Sequence, residues 1–266
     1  MRIQFLDELD AHLGDSYSEG SIANAHEKTI FEPARALQHR IETLNSAVYR
    51  AIRSKIRQGV QPARLRRWMR MYGYEPGLPL PGLGYDDLDE LMSGVLELRE
   101  PARASLHGPE MVFYQPTPAR HILDVIEVGE LSEEDVLIDL GSGLGHVPII
   151  TSMLTGSRGI GIELESAYIN SARDCAERLA LDRVVFVQQD ARDADLSRGN
   201  VFCLYTPFTG TIFSAVLDRL KSEAKKREIR ICTLGPCAEV IARETWLTAR
   251  RTPHADRITC FSSNAN

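Results

Sequence analysis

The sequence predicts an α/β fold with a seven-stranded, mostly parallel sheet, an antiparallel edge strand and a helical N-terminal region. Three observations support this prediction. Residues 30–98 repeat apolar side chains every three or four positions, which is typical of helices. From residue 109 onward, short apolar segments alternate with amphipathic ones, which favours β-α-β units and a parallel sheet. Only a short turn separates the last two apolar segments, so we expect them to pair antiparallel at one edge.

Three helices are predicted in the N-terminal region. The first follows Pro33 and carries an apolar stripe that ends at Ile56. The second is expected over residues 62–72. A loop rich in proline and glycine over residues 75–85 then precedes the third helix, which we expect to begin near Asp86.

The second part of the chain contains seven predicted strands and five predicted helices. The strands are expected at residues 136–140, 159–163, 184–188, 201–205, 229–234, 246–250 and 257–262. The helices are expected at residues 117–128, 146–154, 166–179, 211–227 and 237–243. The change of pattern predicts a helical cap or substrate region over residues 1–108 and a ligand-binding domain over residues 109–266.

Composition narrows the class of protein. With 43% hydrophobic residues and a net charge of −6, the 266-residue chain has the composition of a folded globular protein. It has no apolar run of about 18 residues, the length that spans a bilayer. Its first residues include acids where a signal peptide needs basic ones. The odd, scattered cysteines and dispersed histidines show no metal-ligand spacing. We therefore expect a cytoplasmic protein with reduced thiols, no membrane contact and no metal.

The strongest motif is the segment Val-Leu-Ile-Asp-Leu-Gly-Ser-Gly-Leu-Gly-His at residues 136–146. A buried strand ends in Asp139, and a loop with three glycines then opens a helix. Glycine allows the backbone to approach a ligand closely, and a helix N-terminus attracts a phosphate or a carboxylate. The loop alone does not decide between these ligands.

Acidic residues at three strand ends favour a nucleoside that carries an amino acid. Asp139 would repel a pyrophosphate but can bind an ammonium group, and His146 stands where dinucleotide loops have their last glycine. We expect His146 to pack in the first helical turn rather than to act in catalysis. Glu163 ends the second strand, where a carboxylate can bind two ribose hydroxyls. Asp190 ends the third, where it can accept a hydrogen bond from an adenine amine.

In this order and spacing, the residues resemble the cofactor motifs of class I, Rossmann-like methyltransferases that depend on S-adenosyl-L-methionine (SAM), over residues 110–262. The resemblance implies that SAM is the cofactor and that residues 109–266 form the SAM-binding domain. It implies that Glu163 binds the ribose, Asp190 the adenine amine and the backbone of Ala191 the adenine ring edge. The methionyl part of SAM would be held by Asp139, Gly141, Ser142, Gly143 and Gly145.

Residues 205–208, Tyr-Thr-Pro-Phe, follow the fourth strand, where class I enzymes present the methyl group. Methyltransferases that act on adenine or glutamine amides often carry Asn/Asp-Pro-Pro-Tyr/Phe there, and the leading Asn or Asp is absent here, which disfavours nucleobase amines. Tyr205 and Phe208 are our candidate catalytic residues, because aromatic walls desolvate an amine and attract a cation. Ordinary packing at the sheet edge is the alternative. No general base is evident.

A second resemblance concerns the non-SET histone lysine methyltransferases of the telomeric-silencing type. It rests on residues 114–120, 139–145 and 205–208. In that family the segment before the first helix contacts SAM, which adds Tyr114 and Thr117 as cofactor-binding candidates. Thr117 followed by proline also predicts a helix N-cap. The Asn-rich start of that family's loop is absent here.

The sequence therefore predicts methyl transfer to a nucleophile, with nitrogen favoured and a protein lysine among the acceptors. The alternatives are a small-molecule N- or O-methyltransferase, a nucleotide-dependent oxidoreductase and a non-catalytic SAM-binding interaction protein. Residues 50–70 contain many basic side chains and no acid. This stretch predicts either docking of an anionic partner or a solvated helix face.

Overall fold

The computed structural model of the chain describes residues 25–71, 85–101 and 108–264, with side chains described from residue 32 onward. The chain divides into two compact units, Met1–Ser54 and Lys55–Asn266. The predicted loop at residues 75–85 lies outside the described residues except for its last position. The boundary predicted at residue 108 separates a cap or substrate region from a ligand-binding domain, and it stays a prediction.

The described residues form eight helices and seven strands. None of these helices is long and apolar enough to cross a membrane. In chain order the elements are α1 (Ala25–Arg57), α2 (Pro62–Arg70), α3 (Asp87–Leu96), α4 (Ala119–Val128), β1 (Val136–Leu140), α5 (His146–Thr155), β2 (Arg158–Glu163), α6 (Ser166–Arg178), β3 (Val184–Gln188), β4 (Val201–Leu204), α7 (Gly210–Ala224), β5 (Arg230–Thr233), α8 (Cys237–Ile241), β6 (Leu247–Ala249) and β7 (Thr259–Ser263).

The three predicted helices of the N-terminal region form, but the predicted start of the first one is wrong. Helix α1 already begins at Ala25 among the described residues, so Pro33, expected in the first turn, lies inside the helix, where it cannot donate a backbone hydrogen bond. In α1 three side chains of the apolar stripe remain exposed, those of Leu37, Leu44 and Val48. Helix α2 begins with a proline in its first turn and packs its apolar side on α5. Helix α3 buries the five predicted residues Leu88, Leu91, Met92, Val95 and Leu96.

A capping box starts α3 at the predicted position. The Oδ1 atom of Asp86 accepts a hydrogen bond from the Leu88 backbone N–H at 2.8 Å. In return, Oδ2 of Asp89 accepts one from the Asp86 backbone N–H at 2.8 Å. Two N–H groups at this end that lack helical partners are thereby satisfied, which fixes where the helix begins.

The seven strands form one sheet in the order β3-β2-β1-β4-β5-β7-β6. Strands β1 to β5 are parallel, and β7 runs antiparallel to both β5 and β6. The fold-class prediction is confirmed, including the antiparallel pairing of the last two strands at one edge. Buried apolar side chains of β1 and β4, such as Ile138 and Phe202, are completely enclosed between the helical layers.

The strand order places the functional residues at one edge of the sheet. From β1 the chain proceeds outward through β2 to β3, and then returns to place β4 on the other side of β1. The crevice outside the carboxyl ends at such a reversal is the usual ligand site of an open α/β sheet. The glycine loop, Glu163, Asp190 and Tyr205 all lie at or just after these strand ends.

Candidate functional site

A cavity of about 950 Å³ opens at the carboxyl ends of the parallel strands. Ten of the twelve predicted site residues line it: Tyr114, Thr117, Asp139, Gly141, Ser142, Glu163, Asp190, Ala191, Tyr205 and Phe208. The other two, Gly143 and Gly145, belong to the glycine loop but do not line the cavity. The structure thus brings the predicted residues to one place, and their individual roles stay predictions.

The glycine loop has a backbone shape that only glycine adopts without strain, with φ of +80° at Gly141 and +51° at Gly143. Its neighbours leave no room for a side chain either. A Cβ atom at position 141 would collide with Pro207, which follows β4, and one at position 143 would collide with the ring of Tyr114. The loop is therefore closely packed on two other segments of the cavity wall.

Asp139 offers a buried carboxyl group that lacks a partner. The residue is 6% exposed, and among the described residues no hydrogen bond or ion pair reaches its carboxyl oxygens. Burial, and to a lesser degree the charge of Glu163, raises the pKa of Asp139 to about 8. A cationic group in the cavity, such as an ammonium group, would stabilise the ionised carboxylate and so offset the free-energy cost of burying its charge. Beside it, Ser142 Oγ is enclosed and has no hydrogen-bond partner among the described residues.

Glu163 is held by three backbone N–H groups. Its Oε2 atom accepts from Gly143 at 2.9 Å, and its Oε1 atom accepts from Leu164 at 2.7 Å and Glu165 at 2.9 Å. The carboxylate thus ties the glycine loop to the start of α6. Because a carboxylate has about four acceptor positions, it retains one for a ribose hydroxyl.

The adenine end of the predicted site has a competitor that the sequence did not reveal. Arg192 binds both oxygens of Asp190, with Nη2 at 2.7 Å from Oδ2 and Nε at 3.0 Å from Oδ1. These hydrogen bonds lower the pKa of Asp190. An adenine amine would therefore share this carboxylate with Arg192. Ala191 is 9% exposed and lines the cavity, and its contact with the adenine ring edge stays a prediction.

An aromatic pair lies beside the glycine loop, where the Tyr114 ring packs against Gly143. The rings of Tyr114 and Tyr168 lie 4.8 Å apart, centroid to centroid, and Tyr114 Oη is 3.2 Å from His146 Nδ1. Burial raises the pKa of Tyr114 and lowers that of His146 to about 4, so both groups are neutral at pH 7. His146 thus supports Tyr114 from the first turn of α5, in agreement with the expected packing role.

The N-cap prediction for Thr117 is wrong. Helix α4 begins at Ala119, and its N-cap residue is Pro118, which has no side chain to bind the first N–H groups. A carboxylate from another helix does this instead, because Asp89 Oδ1 accepts from the Ala119 backbone N–H at 2.7 Å. Thr117 remains at the cavity wall, without the capping contact.

The segment after β4 bends sharply into the cavity. Thr206 has a φ of +40°, which is rare for a β-branched residue, and this turn ends β4 at Leu204 rather than at the predicted Tyr205. Thr206 Oγ1 stabilises the turn by donating to the Leu234 carbonyl at 3.0 Å. Tyr205 is half-buried, with Oη 3.5 Å from Gln115 Oε1. Phe208 is 3% exposed and packs mainly in the core.

The cavity lining is acidic. It includes Asp139, Glu163, Asp190 and Asp256 and, among the described residues, no lysine or arginine. Asp139 is mostly protonated at neutral pH, because burial raises its pKa to about 8, and Asp190 is paired with Arg192. Glu163 and Asp256 remain without a lysine or arginine partner among the described residues. The rim is open to solvent, since the Asp256 side chain is 86% exposed and Phe113 is 92% exposed. Sequence reasoning missed Asp256 because it lies in the loop before β7, far from every motif.

His121 is a second residue that sequence reasoning missed. It is 7% exposed and lines the cavity from α4. Its Nδ1 atom is enclosed and has no hydrogen-bond partner among the described residues. The available signal was its place next to Ile122 and four residues before Val125, on the buried side of the predicted helix.

The basic stretch lies apart from the cavity lining. Lys55, Arg57, Arg64 and Arg67 are exposed, and Arg70 pairs with Glu127 of α4 at 2.9 Å. At the start of α3, two acids bind α4: Asp86 pairs with Arg120, and Asp89 accepts a hydrogen bond from the Ala119 N–H. Docking of a partner stays untested.

Comparison with known proteins finds distant relatives. No family model matches the chain. A protein-lysine N-methyltransferase of Saccharolobus islandicus is 23% identical over 133 residues, which are 49% of this chain and 75% of that protein. An uncharacterized protein of Methanocaldococcus jannaschii is 39% identical over 61 residues, which span 23% of this chain and only 27% of that relative's length.

Solved structures with a similar fold include methyltransferases bound to S-adenosyl-L-homocysteine (SAH), the product of SAM. An RNA methyltransferase from Salinibacter ruber has 26% identity and a TM-score of 0.46, over 56% of this chain and 92% of that one. A SAM-dependent methyltransferase from Thiobacillus denitrificans has 22% identity and a TM-score of 0.39, over 46% of this chain and 50% of that one.

The described fold agrees with the fold class that the sequence predicts. The sheet order and the cavity at its carboxyl edge agree with the resemblance that the motif sequence indicated. This chain therefore has a Rossmann-like α/β fold with a cavity at the carboxyl ends of its parallel strands.

Proposed function

We propose that this chain is a SAM-dependent methyltransferase that acts on an amine nitrogen, and that the amine is a lysine side chain of a protein. The observation that carries the proposal is the cavity itself. It joins the predicted cofactor residues to an acidic, partly aromatic lining at the sheet's ligand edge. Bound SAM supplies a methyl group on a cationic sulfur, and the chain has to hold and orient the reactants.

The cofactor fits the residues present. The unpartnered carboxyl group of Asp139 suits the ammonium group of the methionyl part, and the fixed carboxylate of Glu163 suits a ribose hydroxyl. The glycine loop lets the ligand approach the backbone, where a side chain would otherwise stand.

The acidic lining favours a cationic acceptor. Among the described residues, Glu163 and Asp256 have no lysine or arginine partner, and the described lining includes neither of those residue types, so the cavity attracts an alkylammonium group and repels the phosphates of a nucleic acid. Tyr205 stands half-buried beside the strand end and can pack against the amine. Burial raises the pKa of Tyr205, so its hydroxyl stays protonated at neutral pH.

The rim supports a macromolecular acceptor. Phe113 is 92% exposed beside the cavity, and the Asp256 side chain is 86% exposed. An apolar and an acidic group at an open mouth suit a protein segment that carries a lysine better than a small molecule that must be enclosed. The relative from Saccharolobus islandicus is named a protein-lysine N-methyltransferase, which agrees with this choice.

The test is methyl transfer from tritiated SAM to poly-L-lysine, total tRNA and spermidine. We expect label in poly-L-lysine and little in tRNA. Tyr205→Ala should lower the rate about tenfold or more at saturating SAM while the Kd for SAH changes less than about twofold. Val185→Ala, at an exposed position outside the cavity lining, is the matched control.

Each alternative has its own result. Label in tRNA with none in poly-L-lysine contradicts the amine acceptor, and label in spermidine alone favours a small-molecule enzyme. Binding of SAH without transfer to any acceptor favours a non-catalytic SAM-binding protein. Failure of the wild type to bind SAH contradicts the cofactor.

Two further expectations stay proposals. We propose a cytoplasmic location, which the five buried, unpaired cysteines support. We also propose that the exposed basic side chains of residues 55–67 dock an anionic partner. Binding of heparin that weakens steeply with salt, and that is lost in Arg64→Ala/Arg67→Ala, would support the docking surface.

A further inference from the structure

The methionyl part of SAM carries a carboxylate, and the acids of the cavity repel it. Asp139 suits the ammonium group bonded to the same carbon atom, but the carboxylate itself needs a cationic or hydrogen-donating partner. None of the described lining residues is lysine or arginine. The partner of the ligand carboxylate must therefore be a hydrogen-bond donor other than lysine or arginine.

Two histidines of the described segments line the cavity, His121 and His146. His146 is already engaged, because its Nδ1 atom is 3.2 Å from Tyr114 Oη and burial lowers its pKa to about 4. His121 is 7% exposed to solvent, and its side chain makes no hydrogen bond among the described residues. Its acidic neighbour Asp124 has Oδ2 3.9 Å from Nδ1, beyond hydrogen-bond distance. A buried polar side chain without a hydrogen bond is rare and needs an explanation.

His121 also stands at a helix end that attracts negative charge. It lies in the first turn of α4, and Thr117, four residues earlier, borders the same cavity. Free N–H groups and the helix dipole stabilise an anion at such an end. The carboxylate of Asp89 already binds the Ala119 N–H at this end, at 2.7 Å.

We propose that His121 binds the carboxylate of the methionyl part of SAM, with the Thr117 hydroxyl as a second donor. The inference rests on the proposed function, because it assigns a residue to the same cofactor. Since Nδ1 is enclosed, Nε2 is the nitrogen that serves the ligand. Asp139 and His121 then hold the two charges of one amino-acid group.

Acidic side chains of two helices lie beside His121. Asp124 of the same helix has Oδ2 3.9 Å from Nδ1, and both side chains are less than 10% exposed. Asp89 of α3 is the second acid near His121, and burial raises its pKa to about 6. Asp139 of β1 and the neutral His146 of α5 also line the cavity. The imidazole can donate a hydrogen bond from Nε2 to the ligand carboxylate.

The test compares three ligands by calorimetric titration: SAH, decarboxylated SAH, which keeps the amine, and 5′-methylthioadenosine, which lacks the whole amino-acid group. His121→Ala should weaken SAH about tenfold or more and the decarboxylated ligand less than about twofold. Wild type should prefer SAH over the decarboxylated ligand by a similar factor. His39→Ala, at an exposed position of α1 outside the cavity lining, should leave all three affinities unchanged.

Equal weakening of SAH and its decarboxylated form in His121→Ala would overturn the proposal, as would no weakening of either. Binding of 5′-methylthioadenosine reports whether a variant is folded. If His121→Ala does not bind it, His121→Phe keeps the ring volume without the nitrogens and should show the same selective loss. Wild type that binds none of the three ligands contradicts the proposed function instead.

Discussion

Asp139 gives the sharpest quantitative prediction, because its carboxyl group must ionise before it can bind an ammonium group. The test variant is Asp139→Asn, which keeps the shape of the side chain and removes its titratable group. With a pKa of about 8, only about 9% of Asp139 is ionised at pH 7, and about 1% at pH 6. SAH binding by the wild type should therefore strengthen about ninefold from pH 6 to pH 7, relative to the variant.

The assay is calorimetric titration of both proteins with SAH at pH 6 and pH 7. At pH 7, repeated in two buffers with different ionisation enthalpies, wild type should release about 0.9 proton more than Asp139→Asn. The comparison with the variant cancels any proton exchanged on the ligand or elsewhere in the chain. A wild-type-to-variant affinity ratio that stays constant between the two pH values would refute the reasoning, and so would equal proton release.

Three other predictions follow from the same geometry. Burial raises the pKa of Asp139 from 3.8 to about 8, so the folded chain binds its proton more tightly than the unfolded chain. Relative to Asp139→Asn, the free energy of unfolding of the wild type should fall by about 1.4 kcal/mol per pH unit as pH rises from 5 to 7. Urea denaturation of both proteins measures it, and the same dependence of unfolding free energy on pH in wild type and variant would contradict the prediction. Gly143→Ala should destabilise the fold by about 1–3 kcal/mol and weaken SAH binding, because the new Cβ collides with Tyr114. Unchanged SAH binding would show that the loop shifts to accommodate the methyl group. Asp190→Ala should weaken SAH about tenfold but leave the inosine analogue of SAH unaffected, since that analogue lacks the adenine amine; equal losses would assign Asp190 a structural role.

The sequence alone determined the elements and the order of the motif residues. Glycines at positions 141, 143 and 145 after a buried strand are a local signal, because they set a backbone shape that few other residues adopt. Alternating apolar segments likewise fixed the parallel sheet, and its last two strands pair as their short connection requires. Local patterns of this kind need no knowledge of distant contacts.

Tertiary structure decided which partners those residues meet. Asp89 caps α4 in place of Thr117, and Arg192 binds Asp190, because chain segments that sequence spacing does not connect are packed together. Packing against Tyr114 excludes a side chain at position 143. The burial that isolates Asp139 and leaves His121 without a hydrogen bond arises only when the helices close over the strand ends. The sequence names the groups, and desolvation and proximity in the folded chain decide their charges and partners.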